Sequence, residues 1–540
     1  MARRKKHISS QAGRLWKTAN LLRVQGHFEL AKDLFLELLE SPITLNNPTL
    51  RVDALNELVI CQRALDEYED AIGYAWEAFE IAELHQYMLG KGEAFHNLGA
   101  ISHLSGGDEA LAYFRAAIKI MEHVGNSAGV ARSLLHIGMM ARDQGKFEKA
   151  EGDFSTAYNL FQASLEDLDP EDHLEVKQGS LRSLTQLALT KLTKKDPSQA
   201  LESCKKALDL AEEVAQNNRL ATIHRLMALT YWLLGVPHKS KIAFQHAIDE
   251  ASRASRSQDL AFTYQWGGVF FWESDDPTTA FDYLSESLNH WRLLSNIKQQ
   301  SNTLFFLVGL SFEAFPDQLP AFLVGLEQLW QVLARSNNRK QLLLQIELAR
   351  VFQDNLKAKA RGYSFGLTRK YERVLRLARN HHQTNIALLT YPFLLELLIP
   401  DVKVSSGITD ANKSQVMTLV SQLYNDLDAT PILNYQFVVI DAIILVFYEL
   451  DFKKALEKLK PVQAYFRTKQ LHLLSQRVEV LAQTFVEKLK LLVDASGQNN
   501  PDKMRELAHE CQSFYRSEIS NYLKQFKFNC LLYTGIIPTI

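Results

Sequence analysis

Cysteine is scarce in this sequence, and its spacing excludes two common kinds of stabilising site. The 540 residues contain four cysteines, at Cys61, Cys204, Cys511 and Cys530, and no pair has the CxxC spacing of a zinc site. Because the four are scattered along the chain, they do not indicate a disulfide framework either. We therefore expect a reducing, cytoplasmic environment and a protein without a metal or other cofactor.

Long apolar runs and an excess of one charge are also absent. No segment offers the roughly 18 uninterrupted apolar residues of a membrane helix, and the basic start lacks the apolar run of a signal peptide. A formal net charge of -2 gives no bulk attraction to nucleic acid or to an anionic membrane. We therefore expect no membrane partner, and any partner should be selected by local patches.

Catalytic motifs are missing as well. The sequence has no GxSxG, GxGxxG or paired-carboxylate motif, and His381 and His382 cannot both face one site from adjacent helical positions. Gly138 and Gly145 are separated by six residues, whereas a phosphate loop needs four between its glycines and Ser or Thr after its lysine. The sequence therefore predicts that the protein is not an enzyme.

What the sequence does contain is an internal repeat. The segment ARDQGKFEKAEGDF at 141–154 has relatives along the chain, in which a small residue is followed four residues later by a bulky one. A period of 20 to 50 residues is typical of a solenoid. The small anchor residues recur at intervals close to forty, at Ala31, Ala71, Ala110, Ala150, Ala200, Ser240 and Ala280.

Each signature residue of one repeat has a physical role. Gly138 in a first helix and Ala150 in a second are small enough to let the two helices cross closely. Gly145 lies between them, where a residue with positive φ ends a helix at little cost. Phe154 fills the space beside the crossing. The pattern thus predicts a helix, a turn and a second helix, and Gly26 and Gly235 are expected to act as Gly145 does.

In its register this pattern resembles the tetratricopeptide repeat. Gly138, Gly145, Phe147, Ala150 and Phe154 match the small, turn and aromatic positions of that family. A period near forty is similar to the longer-helix variant of kinesin light chains and bacterial peptide-sensing regulators. The resemblance implies an all-α fold, a right-handed superhelical solenoid of antiparallel helix pairs, which acts as a protein-binding scaffold.

The strength of the repeat pattern changes along the chain and suggests a domain organisation. The signal is clear to about residue 300, decays, and returns after a polar stretch without helical periodicity. We predict a basic tail at 1–10, about seven repeats at 11–300, degenerate helical repeats at 301–399, a linker at 400–414, a C-terminal helical repeat module at 415–530 and a tail at 531–540.

The family resemblance also implies a binding groove, built largely by the first helix of each repeat. The positions that correspond to the family's groove are mostly basic, amide or aromatic. The predicted groove residues are Asn20, Arg23, Asn56, Arg63, His96, His103, Arg132, Arg142, Arg182, Arg225, Trp232 and Trp272. Further side chains at groove positions are Trp16, Asp53, Glu93, Met139, Phe262 and Gln265.

Such a groove suits a protein or peptide that carries acidic groups and an apolar anchor. Two alternatives stay open at this point. The arginines could instead pair with acidic neighbours such as Asp53 and Glu93 and lie along the helix surface. They could also contact phosphates, which would make the protein a nucleic-acid-binding or transcription-regulating repeat protein. The sequence does not decide the oligomeric state or the partner.

Overall fold

The fold is known from a computed structural model, which describes most of the chain. The described residues are 10–25, 27–65, 67–105, 107–166, 173–194, 196–213, 217–254, 257–332, 339–361, 366–381, 383–400, 409–427, 431–468, 472–497 and 501–533. They contain α-helices, one short 3₁₀ turn and no strand. The predicted all-α fold is therefore confirmed.

The chain divides into two compact units, Met1–Gln216 and Asn217–Ile540. The helices of the first unit are α1 (Ser10–Gln25), α2 (Phe28–Glu40), α3 (Pro42–Leu45), α4 (Pro48–Ala64), α5 (Tyr68–Leu84), α6 (Met88–Ser105), α7 (Ala110–His123), α8 (Ser127–Asp143), α9 (Phe147–Ser164), α10 (His173–Thr193) and α11 (Pro197–Glu213).

The second unit begins a new series of helices and includes the 3₁₀ turn at Pro316–Gln318. Its helices are α12 (Asn217–Leu233), α13 (Pro237–Arg253), α14 (Ser257–Glu273), α15 (Pro277–Leu293), α16 (Ile297–Glu313), α17 (Leu319–Val332), α18 (Arg339–Arg361), α19 (Leu367–Asn380), α20 (Thr384–Leu398), α21 (Asp410–Asp426), α22 (Pro431–Glu449), α23 (Phe452–Thr468), α24 (His472–Gly497) and α25 (Pro501–Tyr533).

Within each unit the helices pack as consecutive pairs. α4 packs on α5, α6 on α7, α8 on α9 and α10 on α11, and the second unit continues this pattern from α12 with α13 to α22 with α23. At its end α25 packs on α22 and α20 as well as on α24. The first helices of neighbouring pairs are also in contact: α4 contacts α6, and α6 contacts α8. Such contacts form one layer of first helices in the first unit, from α1 to α10, and another in the second unit, from α12 to α20. These layers carry the predicted groove positions.

The packing inside one pair agrees with the role predicted for its small residues. Ala150 and Phe154 are both fully buried, and a Cβ atom added to Gly138 would lie 2.7 Å from Cε1 of Phe154. Gly145 and Gly235 both have a φ of +74°, so their predicted role as helix stops is confirmed. Gly26 lies outside the described residues.

Asp275 holds the same turn position in a later repeat, with a φ of +60°. Asp is one of the few residues besides Gly that tolerate this region. The turn can therefore form without glycine, and a search for glycine alone passes over it.

Polar side chains link the first helices of neighbouring pairs. Asn97 Nδ2 donates to the carbonyl oxygen of Asn56 over 3.1 Å, and a guanidinium nitrogen of Arg142 donates to the side-chain oxygen of Gln186. Similar links in the second unit join Gln265 to Thr303 over 3.0 Å and Gln345 to Asn302 over 3.1 Å. Buried polar groups in this layer thus find partners in the next repeat.

The predicted domain boundaries fall partly outside the described residues. Residues 401–408 of the predicted linker are not described, and α21 begins at Asp410, inside the predicted span 400–414. Residues 1–9 and 534–540 of the predicted tails are not described either. None of the described helices combines the length and the apolar character that a membrane span requires.

Candidate functional site

The first unit contains a cavity of ≈ 680 Å³ bordered by α1, α4, α6, α8, α9 and α10. Among the described residues its lining includes four arginines, Arg23, Arg63, Arg132 and Arg182, and one carboxylate, Glu175. All of them come from first helices of pairs: Arg23 and Arg63 lie in the last turns of α1 and α4, Arg132 near the start of α8, and Arg182 in the middle of α10. The cavity wall therefore carries an excess of positive charge.

Two of the four arginines are held by carboxylates. Arg23 Nε lies 2.6 Å from Glu57 Oε2, and its Nη2 lies 3.3 Å from Glu175 Oε2. Arg132 pairs with Glu93, and its Nη1 lies 3.7 Å from Glu175 Oε1. Burial alone would lower the pKa of both guanidinium groups, but the carboxylates outweigh it and raise the pKa of each. These two arginines are internally neutralised.

Arg63 and Arg182 differ, since neither has an ion-pair partner among the described residues. The Nη1 atom of Arg63 is buried and lacks a hydrogen-bond acceptor there. Burial lowers the pKa of each guanidinium to about 10, and repulsion from neighbouring arginines contributes. Both groups stay charged at neutral pH, because about 10 is still well above 7. The cavity therefore holds two cations that an anion would stabilise.

Two histidines beside these arginines are neutral. His96 and His136 line the cavity and are only 6% and 8% exposed. Burial, followed by nearby positive charge, lowers the pKa of both well below the usual value. His96 Nδ1 lies 3.0 Å from the hydroxyl of Ser133, and His136 stacks on Phe114 with ring centroids 5.1 Å apart. They contribute shape and polarity rather than charge.

Five of the predicted groove residues are thus brought together at this cavity: Arg23, Arg63, His96, Arg132 and Arg182. The hypothesis that the arginines pair with acidic neighbours describes Arg23 and Arg132. It does not describe Arg63 and Arg182. Asp53 accepts a hydrogen bond from the Tyr87 hydroxyl over 2.6 Å.

The other predicted groove residues of the first unit serve contacts within the protein. Asn56 is buried, and its Nδ2 donates to the carbonyl oxygen of Gly90 over 3.1 Å. Arg142 is 6% exposed and donates to Asp143 as well as to the next repeat. His103 lies 3.9 Å from Asp143, and Asn20 donates to a backbone carbonyl of its own helix. None of these four lines the cavity.

In the second unit the predicted groove residues lie largely between helices. Arg225 is fully buried, with Nη1 3.3 Å from both the carbonyl oxygen of Asp259 and the Thr263 hydroxyl. Trp272 is 7% exposed and donates from Nε1 to Glu313 over 3.0 Å. Trp232 packs edge-on against Phe270. These side chains join neighbouring repeats and leave little surface for a partner.

Sequence reasoning missed Glu57, Glu175 and His136. Glu57 and His136 lie on first helices, but at positions outside the family pattern. Glu175 belongs to the extra residues FQASLEDLDPEDHLEV between two repeats, and such an insertion has no counterpart in the repeat from which to infer a role. The sequence did show the insertion, which could have indicated additional residues next to the groove. It places the carboxylate of Glu175 at the edge of the layer of first helices.

Comparison with known proteins agrees with the helix pairs. A tetratricopeptide-repeat family model matches residues 91–163, and a second one matches 181–214. The chain contains tetratricopeptide repeats in these two segments. The matched residues include parts of α6, α8, α9 and α10, which border the cavity, but not α1 and α4. No curated protein matches the chain.

Several solved structures are similar to this chain at low identity. The apo form of RapI is 13% identical, covering 53% of this chain and 99% of that one, with a TM-score of 0.40. Yeast Tom70 is 13% identical, covering 90% and 98%, with a TM-score of 0.40. A signal transduction ATPase with a tetratricopeptide repeat sensor from Pyrococcus horikoshii is 11% identical, covering 68% and 53%, with a TM-score of 0.44. These likenesses do not bear on what this chain binds.

Proposed function

We propose that this protein is a non-enzymatic scaffold or regulatory adaptor that binds an acidic protein or peptide segment in the cavity of its first unit. The observation that carries the proposal is the pair Arg63 and Arg182. Both guanidinium groups line the cavity without a carboxylate partner among the described residues, while Arg23 and Arg132 beside them are neutralised.

The physical reason is the free energy of burying a charge. A buried cation without a partner destabilises the folded protein, and a carboxylate or phosphate that arrives with a ligand removes this penalty. Guanidinium groups also present paired donors that match the two oxygens of a carboxylate. A cavity of ≈ 680 Å³ lies within the usual range for a bound ligand or a few peptide side chains.

The test compares two double variants of the full chain. Arg63→Gln with Arg182→Gln removes the cavity cations, and Arg115→Gln with Lys205→Gln removes two exposed cations from the second helices α7 and α11. The probes are short end-blocked peptides with clustered Glu residues and their Gln counterparts. We expect the cavity variant to lose about a hundredfold in affinity for the Glu peptides, because charge-assisted hydrogen bonds contribute about 1.5 to 3 kcal/mol each. The control variant should bind as the parent does.

Stability separates this proposal from a purely structural role of the arginines. If Arg63 and Arg182 are unpaired in the free protein, their replacement by Gln should leave the melting temperature unchanged or raise it. A clear loss of stability would mean that they have internal partners, and equal binding of Glu and Gln peptides would refute the acidic ligand. A duplex DNA probe that binds with a steep salt dependence, and outcompetes the peptides, would favour the nucleic-acid alternative.

A further inference from the structure

The second unit contains another cavity, of ≈ 690 Å³, with a different charge. It lies between the end of α14 and the two helices α24 and α25. Glu273 and Asp275 come from the α14 end, Arg477 from α24, and Glu518 and Lys524 from α25. No histidine is among its described lining residues.

Glu273 is the unusual residue of this cavity. Its Oε2 atom is buried and has no hydrogen-bond donor among the described residues. Burial raises the pKa of the carboxyl group to about 7, although Arg477 and the Trp232 indole oppose the shift. A carboxyl group in this state gains from any donor or cation that a ligand supplies.

The equivalent of Glu273 in the next repeat is Glu313, and the two carboxyl groups differ in their surroundings. Trp272 donates from Nε1 to Glu313 over 3.0 Å, a spacing of 41 residues along the chain. Trp232 and Glu273 hold the same two repeat positions, 41 residues apart. Glu273 thus occupies the repeat position of Glu313, but it lines a cavity with an oxygen that no donor of the described residues satisfies.

The other charged groups leave this cavity acidic. Lys524 Nζ lies 2.7 Å from Asp275 Oδ1, so these two neutralise each other. Glu518 accepts a hydrogen bond from Asn521 over 3.3 Å but has no ion-pair partner among the described residues. Arg477 is then the one remaining cation of the described lining, facing two carboxyl groups. A ligand with a positive charge complements this arrangement.

One wall of the cavity is apolar and open to solvent. Val480 is 56% exposed and Phe514 is 38% exposed, and both line the cavity with Leu481. Lysine and arginine side chains have apolar stems that pack on such surfaces while the charged end reaches a partner. A cation near an aromatic ring gains a further attraction.

We propose that this cavity is a second ligand site, which takes a lysine or arginine side chain of a partner peptide flanked by apolar residues. The cationic end lies against Glu273, and the stem and its neighbours lie over Val480 and Phe514. The site is independent of the acidic-ligand cavity in the first unit, so a failure of either proposal leaves the other in place.

The test uses the full chain and an array of short end-blocked peptides with a central lysine and randomised flanks. A second array carries norleucine in place of lysine, which keeps the stem and removes the charge. We expect lysine peptides with apolar flanks to bind, norleucine peptides to bind much less, and Glu273→Gln to weaken lysine-peptide binding about tenfold. Glu313→Gln is the matched control, because it changes the same repeat position outside the cavity, and binding should be unchanged.

The pH dependence gives an independent readout. The cation binds the ionised carboxylate, so the affinity for lysine peptides should rise as the pH is raised through about 7. Tyr522 also lines the cavity, but burial raises its pKa to about 12, far from this window. The rise should be absent in Glu273→Gln and in the norleucine array.

Arg477→Gln provides a variant with the opposite expected effect. It removes the cation that competes for Glu273, so lysine peptides should bind severalfold more tightly. Equal binding of the lysine and norleucine arrays would overturn the proposal. So would unchanged affinity in Glu273→Gln, or weaker binding in Arg477→Gln with the melting temperature preserved.

Discussion

Adding one methyl group at Gly138 should destabilise the first unit. The new Cβ atom would lie 2.7 Å from Cε1 and 2.9 Å from Cδ1 of Phe154, distances that carbon atoms do not adopt without movement. Phe154 is fully buried, so its ring has no open space into which to turn. Gly138→Ala therefore forces the two helices of this pair apart.

The magnitude follows from two opposing effects. Overpacking a close crossing typically destabilises by about 1 to 3 kcal/mol, whereas replacing glycine by alanine inside a helix stabilises by about 0.5 to 1 kcal/mol. We expect a net loss of about 1 to 2 kcal/mol. Gly152→Ala is the control, because Gly152 lies in the partner helix α9 and an added Cβ there meets no atom within 4 Å. That variant should gain stability.

The assay must report on this repeat, since a chain with two compact units need not unfold in one step. Hydrogen exchange of peptides from 127–164, combined with calorimetry of the full chain, meets this need. Faster exchange in Gly138→Ala and slower exchange in Gly152→Ala are the expected results. If both variants behave alike, the crossing is looser than described and the role assigned to the small residue is wrong.

Two further predictions concern the cavity of the first unit. His96 and His136 have a lowered pKa in the folded protein, so the unfolded chain binds more protons below about pH 6.5. Stability should fall as the pH drops below this value, by up to about 1.4 kcal/mol per pH unit for each histidine. Calorimetry of the parent and of His136→Phe tests this, and an equal pH dependence in both would refute the contribution of His136. Glu175→Gln removes the carboxylate that bridges Arg23 and Arg132, so it should tighten the binding of acidic peptides severalfold, and unchanged binding would show that Glu175 does not compete.

The helix pairs could be predicted from the sequence because their determinants are local. A small residue at a crossing, an aromatic side chain beside it and a glycine in the turn are all set by contacts within one repeat. Gly138, Phe154 and Gly145 therefore stand where the pattern predicts them. The family match at 91–163 depends on the same local positions.

The candidate site could be predicted only in part, because a first helix is contacted on more than one side. Its polar residues can face the cavity, the second helix of the same pair or the first helix of the next pair. The helical periodicity of the sequence shows which residues share a face, but it does not show which face packs against another helix and which faces the cavity. Arg63 and Arg182 line the cavity, whereas Asn56 and Arg225, at similar positions, are buried between repeats. The partners of Arg23 depend on Glu175, which comes from an insertion.

The hydrogen bonds between first helices affect which partners the cavity can select. Apolar packing lets neighbouring helices slide or rotate by small amounts, whereas a hydrogen bond such as Asn97 to Asn56, or Arg142 to Gln186, fixes both direction and distance. Arg63 and Arg182 lie on first helices of different pairs within the first unit, which are separated by such linked repeats. The distance between the two arginines is then fixed by the linked first helices. A partner would be selected by the spacing of its acidic groups as well as by their number.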